Sequence, residues 1–362
     1  MQITGLRTVQ VEIPFETPIR TAIHQVDSVG CVLLFVDTDV GLTGEGLVWS
    51  LGTRRLPTLE ALLESMAVKV IGRDPHEHAG LWSEMWGDIN FFGHKGITLF
   101  AIGCIDMALW DLVGKANNLS VCRLLGQSRD RVKAYNSSGL WVSMSIDELQ
   151  AQARDFLAQG YHAMKMRLGK PSVKEDIERI AAVREVIGPD VDLMADANQG
   201  FTVNHAIRLG RELEPYNLVW FEEPVQAYDL DGSARVAAEI DTPIASGETE
   251  YARYGFRDML ERGAADVLMP DLERVGGISE FVKVANMADA FDVPVSPHLY
   301  TEQCLQLCGA LNNVTYSEMM PWFSTLYNET IELVDGDLLI PDRPGLGFTF
   351  NEDEMSRLRL GD

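Results

Sequence analysis

The chain has 362 residues with a formal net charge of −24, and 46% of them are hydrophobic. This length suits one large barrel with a modest second domain better than one small core. The strong negative charge argues against binding to nucleic acid or to anionic membrane surfaces. The N-terminus lacks a basic stretch followed by an apolar block, and we expect no apolar run long enough to cross a bilayer. Cys104, Cys304 and Cys308 lie in apolar helical contexts, so we expect buried thiols and a cytoplasmic protein.

The first part of the chain has the pattern of an α+β domain. Three strands are predicted, at residues 2–12, Cys31–Val36 and Thr43–Trp49. Three helices are predicted to follow them, near residues 55–71, 75–87 and 95–117. We therefore expect residues 1–125 to form an N-terminal α+β domain.

From Val132 onward, short β-rich runs alternate with helical runs. Eight strands are predicted, at Lys133–Ser138, His162–Met166, Asp192–Ala195, Val219–Phe221, Ile244–Ser246, Val267–Met269, Val295–Ser296 and Thr315–Ser317. Strands and helices alternating at this spacing predict an α/β fold, a (β/α)8 TIM-like barrel of the (β/α)7β type over residues 126–330. The segment 331–362 is rich in turns, and we expect it to return to the first domain.

Acidic residues recur at the predicted ends of three successive barrel strands. Asp196, Glu222 and Glu248 follow one another at equal intervals of 26 residues, which is one strand–helix unit. Barrel active sites are built at this carboxyl-terminal rim, so the three carboxylates should lie side by side. Because unpaired carboxylates so close together repel one another, a hard divalent cation is expected between them. Oxygen ligands favour Mg²⁺, Mn²⁺ or Ca²⁺, and a few carboxylates with room for water and substrate favour Mg²⁺.

The remaining strand ends supply further polar side chains. Asp271, His298 and Glu318 follow the sixth, seventh and eighth predicted strands. An aspartate beside a histidine orients the imidazole and raises its basicity, so Asp271 and His298 suit general-base catalysis. On the second strand, Lys165 and Arg167 are two residues apart and share one strand face. We expect both to point toward the metal from across the barrel mouth.

These residues and their neighbours resemble the enolase superfamily and, within it, the mandelate racemase subgroup. The resemblance covers essentially the whole chain, and its segments are specific together although each alone would be weak. The matching segments are Ile105–Lys115, Asp196–Gln199, Trp220–Pro224, Ser246–Glu248, Pro270–Asp271 and Ser296–Leu299. The resemblance implies a barrel with an N-terminal capping domain, and it implies a homo-oligomer.

The resemblance also implies a chemistry. One Mg²⁺ per subunit, on Asp196, Glu222 and Glu248, would bind the carboxylate of a small-molecule substrate while a base removes its α-proton. An α-proton beside a carboxylate is very weakly acidic, so the enediolate needs the metal and nearby cations. The His–Asp pair of the subgroup corresponds to His298 and Asp271. Glu318 corresponds to the acid that hydrogen-bonds the substrate carboxylate, in its protonated form.

The second barrel strand departs from the pattern of the racemases, which carry Lys-x-Lys with the second lysine as a base. This chain has Lys165-Met166-Arg167, and a guanidinium stays protonated, so Arg167 is a poor proton acceptor but a good clamp for oxygen groups. With His298 as the one clear base and Lys165 as a fallback, we expect syn-dehydration of an acid sugar to a 2-keto-3-deoxy acid. The acid sugar would be an aldonate or an aldarate. The alternatives are a racemase, epimerase or cycloisomerase, and a metal- or ligand-binding protein without turnover.

Substrate specificity is expected to come from the capping domain. Two stretches, Phe15–Ser28 and Trp86–Gly96, are predicted to be lids over the barrel mouth. Polar residues of these lids, together with one in the segment after Asp196, are candidates for substrate contacts: Arg20, His24, Asn90, His94, Lys95 and Asn198. Such a set of donors suits polyhydroxy acids or diacids better than an aromatic side chain.

Overall fold

Two β-sheets organise the chain, one of three strands near the N-terminus and one of nine strands after it. The structure, a computed structural model, describes residues 1–361. Its strands are β1 (Ile3–Arg20), β2 (Gln25–Thr38), β3 (Thr43–Leu51), β4 (Arg131–Asn136), β5 (Ala163–Arg167), β6 (Asp192–Asp196), β7 (Phe221–Glu222), β8 (Ile244–Ser246), β9 (Val267–Leu268), β10 (Tyr316–Met319), β11 (Leu333–Val334) and β12 (Asp337–Leu339). Its α-helices are α1 (Leu56–Val70), α2 (His78–Asp88), α3 (Ile97–Asn117), α4 (Val121–Leu125), α5 (Ile146–Ala158), α6 (Val173–Ile187), α7 (Val203–Leu213), α8 (Leu230–Glu239), α9 (Ala252–Arg262), α10 (Leu272–Val275), α11 (Ile278–Asp289), α12 (Thr301–Ala310) and α13 (Glu352–Leu358).

The N-terminal sheet is antiparallel in the order β1-β2-β3, and helix α3 packs directly on β3. Two glycines of β3 allow the backbones to approach so closely. A Cβ atom at Gly44 would lie 2.2 Å from the Ala108 carbonyl oxygen, and one at Gly46 would lie 2.3 Å from the Cys104 carbonyl oxygen. Larger side chains at these positions would push the helix off the sheet.

The first predicted lid is the tip of a long β-hairpin rather than a loop. Strands β1 and β2 stay paired as far as Arg20 and Gln25, with a register irregularity after Pro14. Pro14 and Pro18 concealed this extension in the sequence, because proline is rarely found inside a sheet. Strand β1 is an edge strand, where a missing N–H group is tolerated.

Helix α3 corrects the expectation that no apolar run could span a bilayer. Its 21 residues have a mean hydropathy of 1.7 over the most apolar window, which is long and apolar enough by composition. However, 83% of that window is buried inside the protein. Helix α3 is therefore a core helix, and it is mostly apolar because the N-terminal sheet, α1 and α10 pack around it.

The second sheet closes into a barrel. Strands β4 to β9 pair in parallel in chain order, and β10 pairs in parallel with β4. The predicted seventh strand is reduced to bridges from Val295 to Leu268 and to Val314, which complete the ring. Aromatic and apolar side chains fill the interior, where the rings of Tyr135 and Trp220 meet edge to face 5.3 Å apart. The barrel is thus a packed core with its polar residues confined to the rim.

The C-terminal segment contacts both parts of the molecule. Strand β12 first adds to the barrel sheet in antiparallel pairing with β4, a pairing that the sequence patterns do not predict. The chain then crosses to the N-terminal domain, where the N–H of Leu346 donates to Asp111 (2.8 Å) and that of Phe350 to Glu45 (2.8 Å). A bridge between Arg359 and Val11 ends this return. Asp362, the last residue of the predicted segment 331–362, lies outside the described residues.

Candidate active site

Three carboxylates lie together on the carboxyl-terminal rim of the barrel. Asp196 ends β6, Glu222 ends β7, and Glu248 follows β8 after Gly247, whose φ of 126° turns the chain over the rim. One oxygen of each carboxylate lies within 4.8 Å of the others. Asp196 and Glu222 are fully buried, whereas Glu248 is partly open to the cavity. This all-oxygen donor set fits a hard divalent cation.

Neighbouring side chains hold the carboxylates in place. The backbone N–H of Asn198 donates to Asp196 Oδ1 (2.7 Å), and its Nδ2 donates to Oδ2 (3.0 Å). Trp220 Nε1 donates to Glu222 Oε2 (3.0 Å). Burial, together with the charges of Asp196 and Glu248, raises the pKa of Glu222 to about 8 although Lys165 opposes the shift. A cation between the three groups would relieve this repulsion.

Two cations of β5 face the carboxylates. Lys165 Nζ donates to both oxygens of Glu222 (2.7 and 2.9 Å) and lies 3.1 Å from Glu318 Oε1. Arg167 Nη1 lies 3.3 Å from Asp196 Oδ2. Both side chains are buried, and burial lowers the pKa of Lys165, but the surrounding carboxylates outweigh burial and raise it. The structure thus brings Lys165 and Arg167 to the triad as fixed positive charges.

An imidazole backed by a carboxylate lies beside the triad. His298 Nδ1 donates to Asp271 Oδ2 (2.8 Å), which leaves Nε2 facing Glu248 Oε2 at 3.4 Å. Asp271 is held in turn because its Oδ1 caps α10, accepting from the N–H groups of Glu273 (3.0 Å) and Arg274 (3.1 Å). Burial lowers the pKa of His298, but Glu248 and Asp271 outweigh it and raise the pKa to about 9. The pair has the geometry of a general base with an orienting partner.

Cationic side chains surround the carboxyl group of Glu318. Burial raises the pKa of this carboxyl, but Lys165, His298 and Arg167 outweigh burial and lower it to about 2. Glu318 Oε2 also accepts from the backbone N–H of Leu299 (2.7 Å). Without metal or substrate these surroundings favour the ionised form of Glu318, and its expected role as a protonated acid at the substrate carboxylate stays a prediction. Its bond to Leu299 fixes the left-handed backbone after His298, where Leu299 has φ 50°.

A cavity of about 320 Å³ lies over these groups, between the barrel rim and the N-terminal domain. Three tryptophans line it, Trp49 from the N-terminal domain and Trp141 and Trp322 from barrel loops. Arg167, His298 and three of the rim carboxylates, Asp196, Glu248 and Glu318, also reach its surface. A mostly apolar wall with a few convergent polar groups is typical of a small-molecule site.

Comparisons with known proteins identify the family. The N-terminal domain of mandelate racemase and muconate lactonizing enzyme matches residues 3–126, and the enolase C-terminal domain-like family matches residues 148–354. The chain belongs to the mandelate racemase subgroup of the enolase superfamily. The fold is accordingly the barrel of that superfamily with its N-terminal capping domain.

Relatives within the superfamily act on sugar acids according to their names. D-galactarolactone cycloisomerase of Agrobacterium fabrum is 37% identical, with 100% of each chain covered. L-talarate/galactarate dehydratase of Salmonella typhimurium is 38% identical over 80% of this chain and 73% of its own. A crystal structure of L-talarate dehydratase from a Polaromonas species, complexed with Mg and L-glucarate, is 36% identical with a TM-score of 0.92, covering 99% of this chain and 98% of its own.

Only some of the residues that the sequence suggested as substrate contacts line the cavity. His24 and Asn198 line it, as do Thr21 and Ile23 of the hairpin tip. Arg20, Asn90, His94 and Lys95 do not line it.

The second predicted lid packs against the protein instead of the cavity. The ring of His94 stacks on Trp86 with centroids 3.9 Å apart, and its Nε2 lies 3.1 Å from the Trp86 carbonyl oxygen. Lys95 pairs with Glu250 (2.9 Å). Only Ile97 and Phe100, which follow the stretch, reach the cavity.

Two arginines of the cavity were missed by the sequence analysis. Arg274 donates to the Glu248 carbonyl oxygen (3.1 Å) and lies 3.5 Å from Asp271 Oδ2. It could have been found, because it lies one helical turn after Asp271 on the same rim. Arg55 lines the cavity from the start of α1 in the capping domain. No motif or spacing marks it, because its place depends on how the two domains pack.

Proposed function

We propose that this protein is a Mg²⁺-dependent dehydratase of acid sugars that forms 2-keto-3-deoxy acids. One observation carries the choice of reaction: the barrel rim offers a single imidazole backed by a carboxylate, with Arg167 at the place of a second basic lysine. Inversion at carbon needs a proton acceptor on each face, whereas syn-elimination needs one group that first accepts and then donates a proton. The names of the dehydratase relatives also support dehydration as the reaction.

Asp196, Glu222 and Glu248 would hold the metal, and structures of relatives contain bound Mg. When bound, Mg²⁺ supplies the positive charge that stabilises an enediolate. Lys165 and Arg167 add fixed charge next to the same carboxylates. In a protein with a net charge of −24, these cations and the bound metal would supply the local positive charge that an anionic substrate needs.

His298 would act twice in the elimination. Its Nε2 accepts the proton from C2 of the substrate, while Asp271 stabilises the imidazolium through Nδ1. The electron pair of the C2–H bond first enters the enediolate, which then expels the C3 hydroxyl. The imidazolium gives its proton to that hydroxyl, so water leaves and a C2–C3 enol remains. The enol takes up a proton at C3 and becomes the 2-keto-3-deoxy acid.

Cycloisomerisation of a sugar-acid lactone is the second candidate. It is favoured by the full-length match to a D-galactarolactone cycloisomerase, in which both chains are covered completely. Cycloisomerisation gives a product isomeric with its substrate, whereas dehydration removes one water. The mass of the product separates the two.

A substrate panel in D₂O tests the proposal. Aldonates, aldarates and aldarolactones would be incubated with the protein and Mg²⁺, with proton NMR and semicarbazide to detect 2-keto products. Semicarbazone formation with loss of one water supports dehydration, and conversion of a lactone without loss of water supports cycloisomerisation. Exchange at C2 with inversion would show a racemase or epimerase. If no compound reacts and replacement of His298 by Asn leaves ligand binding unchanged, the protein binds without turnover.

We also propose the domain boundaries, the cellular compartment and the oligomeric state of the protein. Residues 1–125 would form the capping domain, 126–330 the barrel and 331–362 the return segment. The five free, buried cysteines support a cytoplasmic protein, and the high negative charge argues against nucleic-acid and membrane partners. A homo-oligomer is supported by Phe91 and Phe92, whose side chains are 93% and 78% exposed. Light scattering coupled to gel filtration would show a monomer if this last proposal is wrong.

A further inference from the structure

The two walls of the cavity carry opposite charge. Its acidic lining residues all belong to the barrel: Asp196, Glu223, Glu248, Glu273 and Glu318. No acidic residue lines the cavity from the capping domain among the described residues, and Arg55 is the one lining residue there with a permanent charge. The capping wall therefore offers one positively charged side chain, on a different domain from the carboxylate triad.

The backbone that carries Arg55 is fixed in place. The N–H of Gly52 donates to the Ser28 carbonyl oxygen (2.9 Å) on β2. A Cβ atom at Gly30 would lie 2.6 Å from the Gly52 carbonyl oxygen, so the turn before α1 packs directly on the hairpin. The backbone before Arg55 is thus fixed beside the hairpin tip, whose Thr21 and His24 line the same cavity, while the Arg55 side chain itself is exposed.

The guanidinium of Arg55 has no partner of its own. Within residues 1–361 its side chain makes no hydrogen bond and no ion pair, and it does not cap α1. By contrast, Arg167 and Arg274, the other arginines of the cavity, are engaged by Asp196 and Asp271. An unpaired guanidinium on a cavity wall presents a planar fork of donors that matches a carboxylate.

We propose that Arg55 binds the distal carboxylate of a dicarboxylic acid sugar, so that the protein selects aldarates over aldonates. This inference rests on the proposed function, in which the other carboxylate lies at the triad. A dicarboxylate would then span the cavity from the rim to the capping wall. An aldonate, with a hydroxymethyl group in that place, leaves the charge of Arg55 unmatched.

Binding to a variant without turnover tests the inference. The acids would be matched pairs that differ only at the distal carbon, galactarate with galactonate and glucarate with gluconate. Calorimetric titration would use His298→Asn protein with Mg²⁺. We expect at least one diacid to bind about 10- to 100-fold more tightly than its aldonate, the range of hydrogen bonds to a charged group. Adding Arg55→Gln should reduce that ratio to about threefold or less by weakening the diacid alone.

Arg54→Gln in the same background is the matched control. Arg54 is the neighbour of Arg55 and is exposed as Arg55 is, has no side-chain partner within residues 1–361 and does not line the cavity. Its replacement should leave the ratio unchanged.

The inference is overturned if aldonates bind as tightly as aldarates, if Arg55→Gln weakens both acids equally, or if none of the four binds. Its failure is distinguishable from failure of the proposed function. A protein that dehydrates aldonates and binds aldarates no better keeps the function and loses the inference. A protein that forms no product but binds diacids in a manner dependent on Arg55 keeps the inference and loses the proposed function.

Discussion

Replacement of Asp271 by Asn separates the catalytic role of this residue from its structural role. One oxygen of Asp271 accepts from His298 Nδ1 (2.8 Å), while the other caps α10 by accepting from Glu273 and Arg274 N–H groups (3.0 and 3.1 Å). Asparagine is as good a helix cap as aspartate, so the cap can be retained. The amide can instead present its NH₂ group to Nδ1, which places the imidazole proton on Nε2 and removes the base.

The expected loss of activity is therefore much larger than the loss of stability. An equivalent change in a Ser-His-Asp triad lowers kcat by about 10⁴, and we expect a decrease in kcat/KM of about 10³- to 10⁴-fold for Asp271→Asn. Stability should fall by about 1–3 kcal/mol, the value of a hydrogen bond to a charged group. Asp271→Ala, which also removes the cap, should lose about 1 kcal/mol more.

Steady-state kinetics on the preferred acid sugar and urea unfolding would measure the two effects. Asp229→Asn is the control, because Asp229 caps α8 by accepting from the Gly232 N–H (2.9 Å) outside the cavity lining. It should leave kcat/KM unchanged. The reasoning is refuted if Asp271→Asn keeps more than about a tenth of the activity, or if its loss follows unfolding of the protein.

Three further predictions follow from the same geometry. Lys165→Met should destabilise the metal-free protein by about 3–5 kcal/mol, because Glu222 and Glu318 lose the ammonium at 2.7 and 3.1 Å. Urea unfolding in chelator would measure this, and wild-type stability in the variant would contradict it. Chelation should abolish turnover. Mg²⁺ at a hundred times its Kd should restore turnover and raise the free energy of unfolding of the metal-free protein by about 2.7 kcal/mol. Activity that survives exhaustive chelation would show that turnover does not need the metal. Gly46→Ala should cost about 1–3 kcal/mol or more, since its Cβ would meet the Cys104 carbonyl oxygen at 2.3 Å, and a calorimetric Tm within 1 °C of wild type would show that α3 can shift freely.

The sequence predicted the barrel rim well because the rim repeats. Each strand–helix unit returns the chain to the same edge, so equal spacing alone placed Asp196, Glu222 and Glu248 side by side. The same rhythm led to Asp271 and His298, which the structure joins by a hydrogen bond of 2.8 Å. A local pattern sufficed because these positions depend on the barrel alone.

Features that depend on packing between distant segments were missed. Arg55 enters the cavity only because the capping domain lies over the barrel, and no local pattern marks it. His94 is of a residue type that often contacts substrates, but its ring stacks on Trp86. The sequence alone does not predict that contact. Likewise, the charged surroundings of Glu318 include Lys165, which is distant in sequence but 3.1 Å away in space. Charge balance in a buried site is a property of the folded arrangement.

The most direct test of the account follows galactarate, glucarate and their aldonates with the wild-type protein and Mg²⁺ in D₂O by proton NMR. Dehydration through a C2–C3 enol predicts a 2-keto-3-deoxy acid with one deuterium at C3, and no product from His298→Asn. Recovery of the sugar acid with deuterium at C2 and inverted configuration, without loss of water, would contradict it. That result would mean that a second group accepts protons from the face that Arg167 occupies.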